Sequence, residues 1–276
     1  MDVREFIINS WGSDIADRFP GPQPVSIERR HFPLLKKQPY VVCEKTDGVR
    51  YLMVSNDEGV FLVNRAFKID PVKVRIPKGT ILDGELVPSK SGKMLFMVYD
   101  TVIAKGENVS NLDLKLRLEK ARSIIKGIIK TAQAPFEIRL KTMWALGDPI
   151  PDLNSFEYET DGLVFTPVND PIRSGTHETM FKWKPRDRIT IDFELKLGKD
   201  LFVQDRGTPY KEAELHLQNR RGDLPDGTIV ECGYGELGFF VEKIRTDKTY
   251  ANNRRTYFRT LINLRENIQL SEFKGL

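Results

Sequence analysis

The stretch Cys43-Glu44-Lys45-Thr46-Asp47-Gly48-Val49-Arg50 holds the residues whose spacing points most directly to chemistry. A run of strand formers from Tyr40 to Cys43 delivers Lys45 to a tight turn at Asp47-Gly48, and a second apolar run, Tyr51 to Val54, leads away. A lysine at a strand end presents its amine to whatever cleft the sheet carries. That amine is a nucleophile only once its proton is lost, which neighbouring cations or partial desolvation favour, and Arg50 is one such cation. Taken alone, the stretch reads as an ordinary β-hairpin with a solvated lysine. The residues downstream decide between the two readings.

Carboxylates recur inside apolar runs. Asp83 and Glu85 sit two apart in Ile81-Leu82-Asp83-Gly84-Glu85-Leu86-Val87 and share a strand face, and Asp161 precedes Gly162-Leu163-Val164-Phe165. Acidic residues are uncommon in strand interiors and costly to bury unpaired. Carboxylates that converge on a cleft either bind a divalent cation or pair with lysines, and Asp83 fits a solvated strand edge equally well. Lys182 and Lys184 flank Trp183 in Phe181-Lys182-Trp183-Lys184-Pro185, so both ammonium groups leave one face of a strand. Two such lysines make a phosphate clamp and favour the uncharged form of a neighbouring amine. Lys243 and Arg245 repeat the alternation ahead of Asp247-Lys248. Each basic pair also reads, alone, as a solvated strand face.

The elements that must position these groups follow from periodicity. Strands are expected at 40–45, 49–55 and 59–64, with a hairpin turn at Asn56-Asp57-Glu58-Gly59, then at 81–87 and 94–103. The spacing within 112–129 predicts an amphipathic helix with Asp113 as N-cap, and the clean alternation of 136–141 predicts a half-buried strand ending in Lys141. Further strands are expected at 158–168, 179–184 and 189–197. After Arg188 short strands recur at 190–197, 200–205, 228–233 and 238–245, the texture of a small antiparallel barrel. A packing helix over 252–268 places Tyr257, Phe258, Leu261, Leu264 and Ile268 on one face. Residues 1–39 read as a helical or irregular entry in which Phe6, Ile7 and Trp11 form one stripe, broken by Pro20, Pro22 and Pro24.

The 276 residues suffice for two modest domains, expected at 1–187 and 188–276, and 40% hydrophobic content is enough for packed cores. No apolar run approaches the ~20 residues of a membrane span, and the start lacks the apolar core of a signal peptide. Cys43 and Cys232 have no metal spacing and are too few for a disulfide framework, which points to a reducing compartment, nucleus or cytosol. The net charge of +4 permits a polyanionic partner without demanding one.

In their order, these stretches resemble the covalent nucleotidyltransferases, the superfamily of messenger RNA capping guanylyltransferases and ATP-dependent polynucleotide ligases. The nucleophile motif K-x-D-G-x-R matches Lys45 to Arg50. The third motif matches Phe61 to Phe67, with Asn64 where Asp is usual. The strand with the glutamate matches Leu82 to Val87, and the later motifs match Asp161 to Phe165, Lys182 to Pro185 and Lys243 to Lys248, with Lys243 in place of an arginine. Thr166-Pro167 after the fourth motif, the long Ile191-Asp192-Phe193-Glu194-Leu195 strand after Lys-Trp-Lys-Pro, and Gly106-Glu107-Asn108-Val109 look like the capping branch. ATP-dependent RNA ligase, with a lysyl-AMP intermediate, is the alternative, and a catalytically inactive RNA-binding module with an OB-type barrel is the third reading.

The resemblance implies an α+β fold: a nucleotidyltransferase domain built on antiparallel, ATP-grasp-like sheets, followed by a C-terminal OB-fold β-barrel with a terminal helix. It implies that Lys45 attacks the α-phosphorus of GTP, releasing pyrophosphate, and that the lysyl-GMP phosphoramidate passes GMP to the 5′-diphosphate end of RNA. Lys182 and Lys184 would hold the α-phosphate. Arg50, Arg65 and Glu85 would hold the ribose, while Glu85 and Asp161 would help hold Mg²⁺ or Mn²⁺. Phe67 and Val164 would sandwich the base, and Lys141 would donate to guanine O6. Lys243, Arg245 and Lys248 would meet the outer phosphates as the cleft closes. A separate RNA triphosphatase and cap methyltransferase, a polymerase II C-terminal tail as partner, and a nuclear location, or a cytoplasmic one if viral, are further expectations.

Overall fold

Alternating apolar residues build two sheets in the first of two units of the chain, which comprises Met1–Val25, Pro33–Trp183 and Phe273–Leu276. The computed structural model describes residues 1–11, 18–128 and 134–276, so Ile129 at the end of the expected helix lies outside the described residues. One sheet has five strands, in the order Gln23–Ser26, Thr176–Trp183, Thr160–Pro167, Tyr40–Thr46 and Trp144–Ala145. The other runs Ile69–Pro71, Val60–Asn64, Val49–Ser55, Thr80–Pro88, Met94–Ala104 and Glu107–Asn108. Glu137–Leu140 joins Met94–Ala104 in parallel, and the remaining strand pairs of both sheets are antiparallel.

The strand of Lys45 and the strand that follows it therefore belong to different sheets. Asp47-Gly48 is not a hairpin turn, as its sequence suggests, but the crossing from one sheet to the other. Glycine is needed there because a Cβ on Gly48 would stand 2.4 Å from the Leu86 carbonyl oxygen. The Asn56–Gly59 turn does join paired strands, with Asn56 Oδ1 accepting from the Glu58 and Gly59 amides.

Helix Leu114–Lys126 packs on the second sheet, burying Leu114, Ala121 and Ile124. Its first turn is capped by Asp113, which accepts from Leu116 N at 2.9 Å. Arg117, also on its inner side, is neutralised by buried Asp100 and donates to the Leu112 and Asp170 carbonyls. The entry segment is more regular than its prolines suggest. Helix Val3–Trp11 lays Ile7 against Leu52, Val63 and Val102, strand Gln23–Ser26 adds to the first sheet, and Phe32–Lys37 is a short helix.

The second unit comprises Ser26–Phe32 and Lys184–Glu272, so the chain divides after Trp183 rather than after residue 187, and each unit takes in a short segment from the far end of the chain. Its five antiparallel strands stand in the order Thr208–Glu214, Asp200–Asp205, Ile191–Lys196, Thr228–Gly235 and Gly238–Ile244, the succession of a partly open OB-type barrel. Thr208–Glu214, an exposed edge strand of mostly polar residues, has no counterpart in the apolar pattern. Helix Arg254–Glu266 buries Tyr257 and Leu264 against Phe193, Leu201 and Val230. Phe258 was expected on that face but is 45% exposed, with the Arg254 guanidinium 5.4 Å from its ring. The helix ends at Asn267, whose left-handed backbone closes its last turn, and Ile268 is buried beyond it.

Candidate active site

A cleft enclosing about 760 Å³ of open space lies in the first unit, lined from one sheet by Cys43, Lys45, Val164, Thr166 and Met180 and from the other by Arg50, Asp83, Glu85 and Tyr99. Arg65, Lys141 and Met143 complete its walls with Pro22 and Pro24. Strand register explains the composition of the first wall. Cys43 pairs with Val164, and Val164 pairs with Lys182 on the next strand, so all three share a face with Lys45. Lys184 belongs to the second unit, whereas Lys182 belongs to the first.

Lys45 Nζ donates to both oxygens of Asp161, at 2.9 and 3.2 Å. Asp161 occupies an irregularity between Thr160 and Gly162 in the pairing with the Lys45 strand, and such a bulge re-aims a side chain. Of the two uses open to the carboxylates, pairing with a lysine is the one Asp161 adopts. Asp83 likewise forms an ion pair, accepting from Arg50 Nε at 3.0 Å and Nη2 at 2.6 Å while Arg50 Nη1 donates to the Pro22 carbonyl. Arg50, expected to act as a free charge beside Lys45, is thus buried and compensated, with the Phe19 and Tyr99 rings at 5.2 and 5.7 Å.

Glu85 is the cleft carboxylate without such close compensation. Burial raises its pKa above the usual carboxylate range, against the opposing pull of Lys141, Lys45, Arg50 and Arg65. Those four cations and Glu85 share one cleft, a field suited to a polyphosphate. Among the described residues no group of three or more His, Cys, Asp or Glu is arranged to hold a metal ion. Mg²⁺ needs only one or two carboxylates when phosphates and water supply the remaining ligands, so Glu85 fits that donor set and Asp161 can join it by exchanging its lysine partner.

Lys141 is deeply buried. Its Nζ donates to the Glu44 carbonyl at 2.6 Å, stands 3.4 Å from Glu44 Oε1 and lies 5.9 Å from the Tyr99 ring centroid. Phe67 does not line the cleft. It sits in the loop after Val60–Asn64 with φ at 58°, packs toward the N-terminal helix and carries the Arg4 guanidinium 4.9 Å from its ring. The aromatic cleft residue is Tyr99, which sequence reasoning passed over inside an apolar strand. Its signal was a Tyr-Asp pair within that run. Asn64, the departure from the third motif, accepts from the Ala66 and Lys68 amides through Oδ1 and so shapes the loop that carries Arg65.

In the second unit, Arg245 donates to Asp192, Glu231 and Asp247, Lys248 to Asp192, and Lys243 pairs with Glu231. The basic end of this barrel is therefore compensated by its own acidic residues, which sequence spacing did not reveal.

Two sheets line a cleft that gathers Lys45, Arg50, Arg65 and Lys141 around Glu85, an arrangement whose charge suits a phosphorylated ligand. The family model described as the mRNA capping enzyme, catalytic domain, matches residues 2–186. The chain belongs to that family. It is 35% identical to the mRNA-capping enzyme subunit alpha of Schizosaccharomyces pombe, over 66% of this chain and 54% of that protein. It is 30% identical to the subunit alpha of Saccharomyces cerevisiae, over 69% and 50%, and 27% identical to the mRNA-capping enzyme of Mus musculus, over 86% and 46%. The chain thus spans about half the length of these relatives. A solved mycobacterial DNA ligase D complexed with ATP and MES aligns at 12% identity, over 84% of this chain and 98% of that one, with a TM-score of 0.48.

Proposed function

We propose that the chain is an mRNA capping guanylyltransferase that transfers GMP from GTP to the 5′-diphosphate end of RNA through a lysyl-GMP intermediate. The observation that carries this reading is Lys45 itself: an amine in a cleft that also gathers Arg50, Arg65 and Lys141, fixed by a carboxylate within hydrogen-bond reach. The Nζ–phosphorus bond forms as the bond from the α-phosphorus to the pyrophosphate oxygen breaks. Asp161 is the nearest acceptor for the proton the amine must shed. The RNA 5′-diphosphate oxygen then attacks the same phosphorus, and the lysine leaves.

The protein's share of such a transfer is positioning and charge neutralisation. Lys182, on the Lys45 face of the sheet, holds the α-phosphate, and Lys184 joins it. Arg65 and Glu85 hold the ribose, with Arg50 on the same wall. Val164 and Tyr99 enclose the base, in place of the expected Phe67, and Lys141 reads guanine O6. Lys243, Arg245 and Lys248 exchange their acidic partners for the outer phosphates when the enzyme closes on GTP. Glu85 and Asp161 hold Mg²⁺ or Mn²⁺, which when bound neutralises phosphate charge. A separate triphosphatase and methyltransferase, docking on the polymerase II tail, and a nuclear location, or a cytoplasmic one for a viral protein, complete the proposal.

Incubation with labelled GTP or ATP and Mg²⁺, followed by a denaturing gel, tests it. GTP labels the wild-type chain, and Lys45→Ala abolishes the label. Label from ATP alone establishes the RNA ligase reading instead.

A further inference from the structure

Lys141 belongs to a buried polar cluster whose other members, Glu44 and Tyr158, no step above uses. Glu44 is 1% exposed, and Lys141 and Tyr158 are each 5% exposed. Tyr158 donates its hydroxyl to Glu44 Oε1 at 2.6 Å. Lys141 Nζ is bound to the Glu44 carbonyl at 2.6 Å and stands 3.4 Å from the same Oε1. An ammonium has three N–H donors, and these two contacts occupy the side of Nζ that faces Glu44. Lys141 also lines the cleft, beside Tyr99 and Glu85. The arrangement leaves donor capacity toward the ligand and offers it no acceptor, because an ammonium carries donors alone.

We infer that Glu44, braced by Tyr158, is a positioning residue for base discrimination: it holds the Lys141 ammonium aimed, so that the cleft accepts an oxo group and rejects an amino group at purine position 6. This rests on the nucleotidyl-transfer reading. Glu44 is well placed for the role, because its backbone carbonyl takes one Lys141 donor and its carboxylate faces the same ammonium. Tyr158 fixes the carboxylate from the far side, which leaves Glu44 one preferred rotamer. The hydroxyl also relieves the carboxylate of an unsatisfied acceptor in a dry site.

The probe pair is GTP and 2,6-diaminopurine riboside triphosphate, which keeps the 2-amino group of GTP and carries an amino group in place of the 6-oxo group, with the accompanying loss of the N1 proton. Rates of Lys45 adduct formation are measured at several concentrations of each nucleotide, with wild type, Glu44→Gln and Tyr158→Phe. The expected result is that both variants raise the KM for GTP, leave that for the diamino analogue near the wild-type value, and change kcat little. Tyr158→Phe should cut the preference for GTP about tenfold, the scale of one hydrogen bond to a charged group. Glu44→Gln should cut it further, because it replaces the carboxylate that faces the Lys141 ammonium with a neutral amide. Equal losses for the two nucleotides, or an unchanged preference in the milder Tyr158→Phe, would overturn the inference and leave guanylyl transfer standing. No adduct from wild type with either nucleotide would overturn the parent reading, and this one with it. Should Glu44→Gln fail to fold, Tyr158→Phe alone decides, since it removes one oxygen and no charge.

Discussion

Among the described residues, the carboxylates of the cleft divide into those paired with an arginine, Asp83 and Asp100, and one that is not. Glu85 is the unpaired one, and burial raises its pKa. A carboxyl whose folded pKa lies above its unfolded value binds more protons when folded, so stability falls as pH climbs from the unfolded pKa through the folded one. Glu85→Gln is therefore expected to melt at a higher temperature than wild type near neutral pH, with the gap closing below the unfolded pKa. Melting curves of both proteins across pH check this, and a gap that widens in acid would contradict it. The same variant should lose adduct formation, the usual opposition between a working site and a stable one. Asp83 is the opposite case. With Arg50 it forms a bidentate pair at 1% and 7% side-chain exposure, and Asp83→Asn leaves that guanidinium buried without its counter-charge. A loss of about 3–5 kcal/mol is expected, measured by urea unfolding.

At the scale of elements, the turn at Asp47-Gly48 matters most, because it carries the chain from one wall of the cleft to the other. A Cβ at Gly48 would press on backbone, the Leu86 oxygen at 2.4 Å, which has no flexible side chain to yield. Gly48→Ala is expected to shift the end of the Lys45 strand. The result should be a lower adduct rate together with a lower melting temperature, whereas Gly92→Ala, with nothing within 4 Å of its Cβ, should leave the adduct rate at the wild-type level. The cap of helix Leu114–Lys126 is a simpler element. Asp113→Ala removes the acceptor for Leu116 N and should cost about 1 kcal/mol with the adduct rate unchanged. The helix and its cap were legible in the sequence because both signals are local: a 3.6-residue period and one capping residue. The turn was misread because Asp-Gly marks a reversal of the chain without saying which strands the reversal joins.

The whole molecule consists of two units with separate apolar cores, one around Leu82, Phe96 and Leu52, the other around Phe193, Leu201 and Val230. Chains of this kind commonly depart from a single all-or-none transition. Trp11, Trp144 and Trp183 all belong to the first unit. Tryptophan fluorescence should therefore follow the unfolding of that unit, while far-UV circular dichroism follows both. Non-coincident denaturant curves are expected, and superimposable ones would show that the units unfold together.

The sequence by itself determined most of the strands, the main helix, the order of the motifs and Lys45 as the candidate nucleophile. These depend on alternation, on the spacing of apolar residues and on residue types that are costly to place inside strands without a purpose. The tertiary structure decided which charges are free to act. Arg50, Arg245 and Lys248 look like available cations in the chain, yet each meets carboxylates brought by folding from 33, 53 and 56 residues away. It also decided which aromatic side chain lines the cleft, Tyr99 rather than Phe67, because the facing of a loop residue depends on backbone dihedrals that no period records. Glu44 is the clearest case. In the chain it is one more charge beside a lysine, and only the approach of Lys141 and Tyr158 from distant segments gives its carboxylate a partner and a direction.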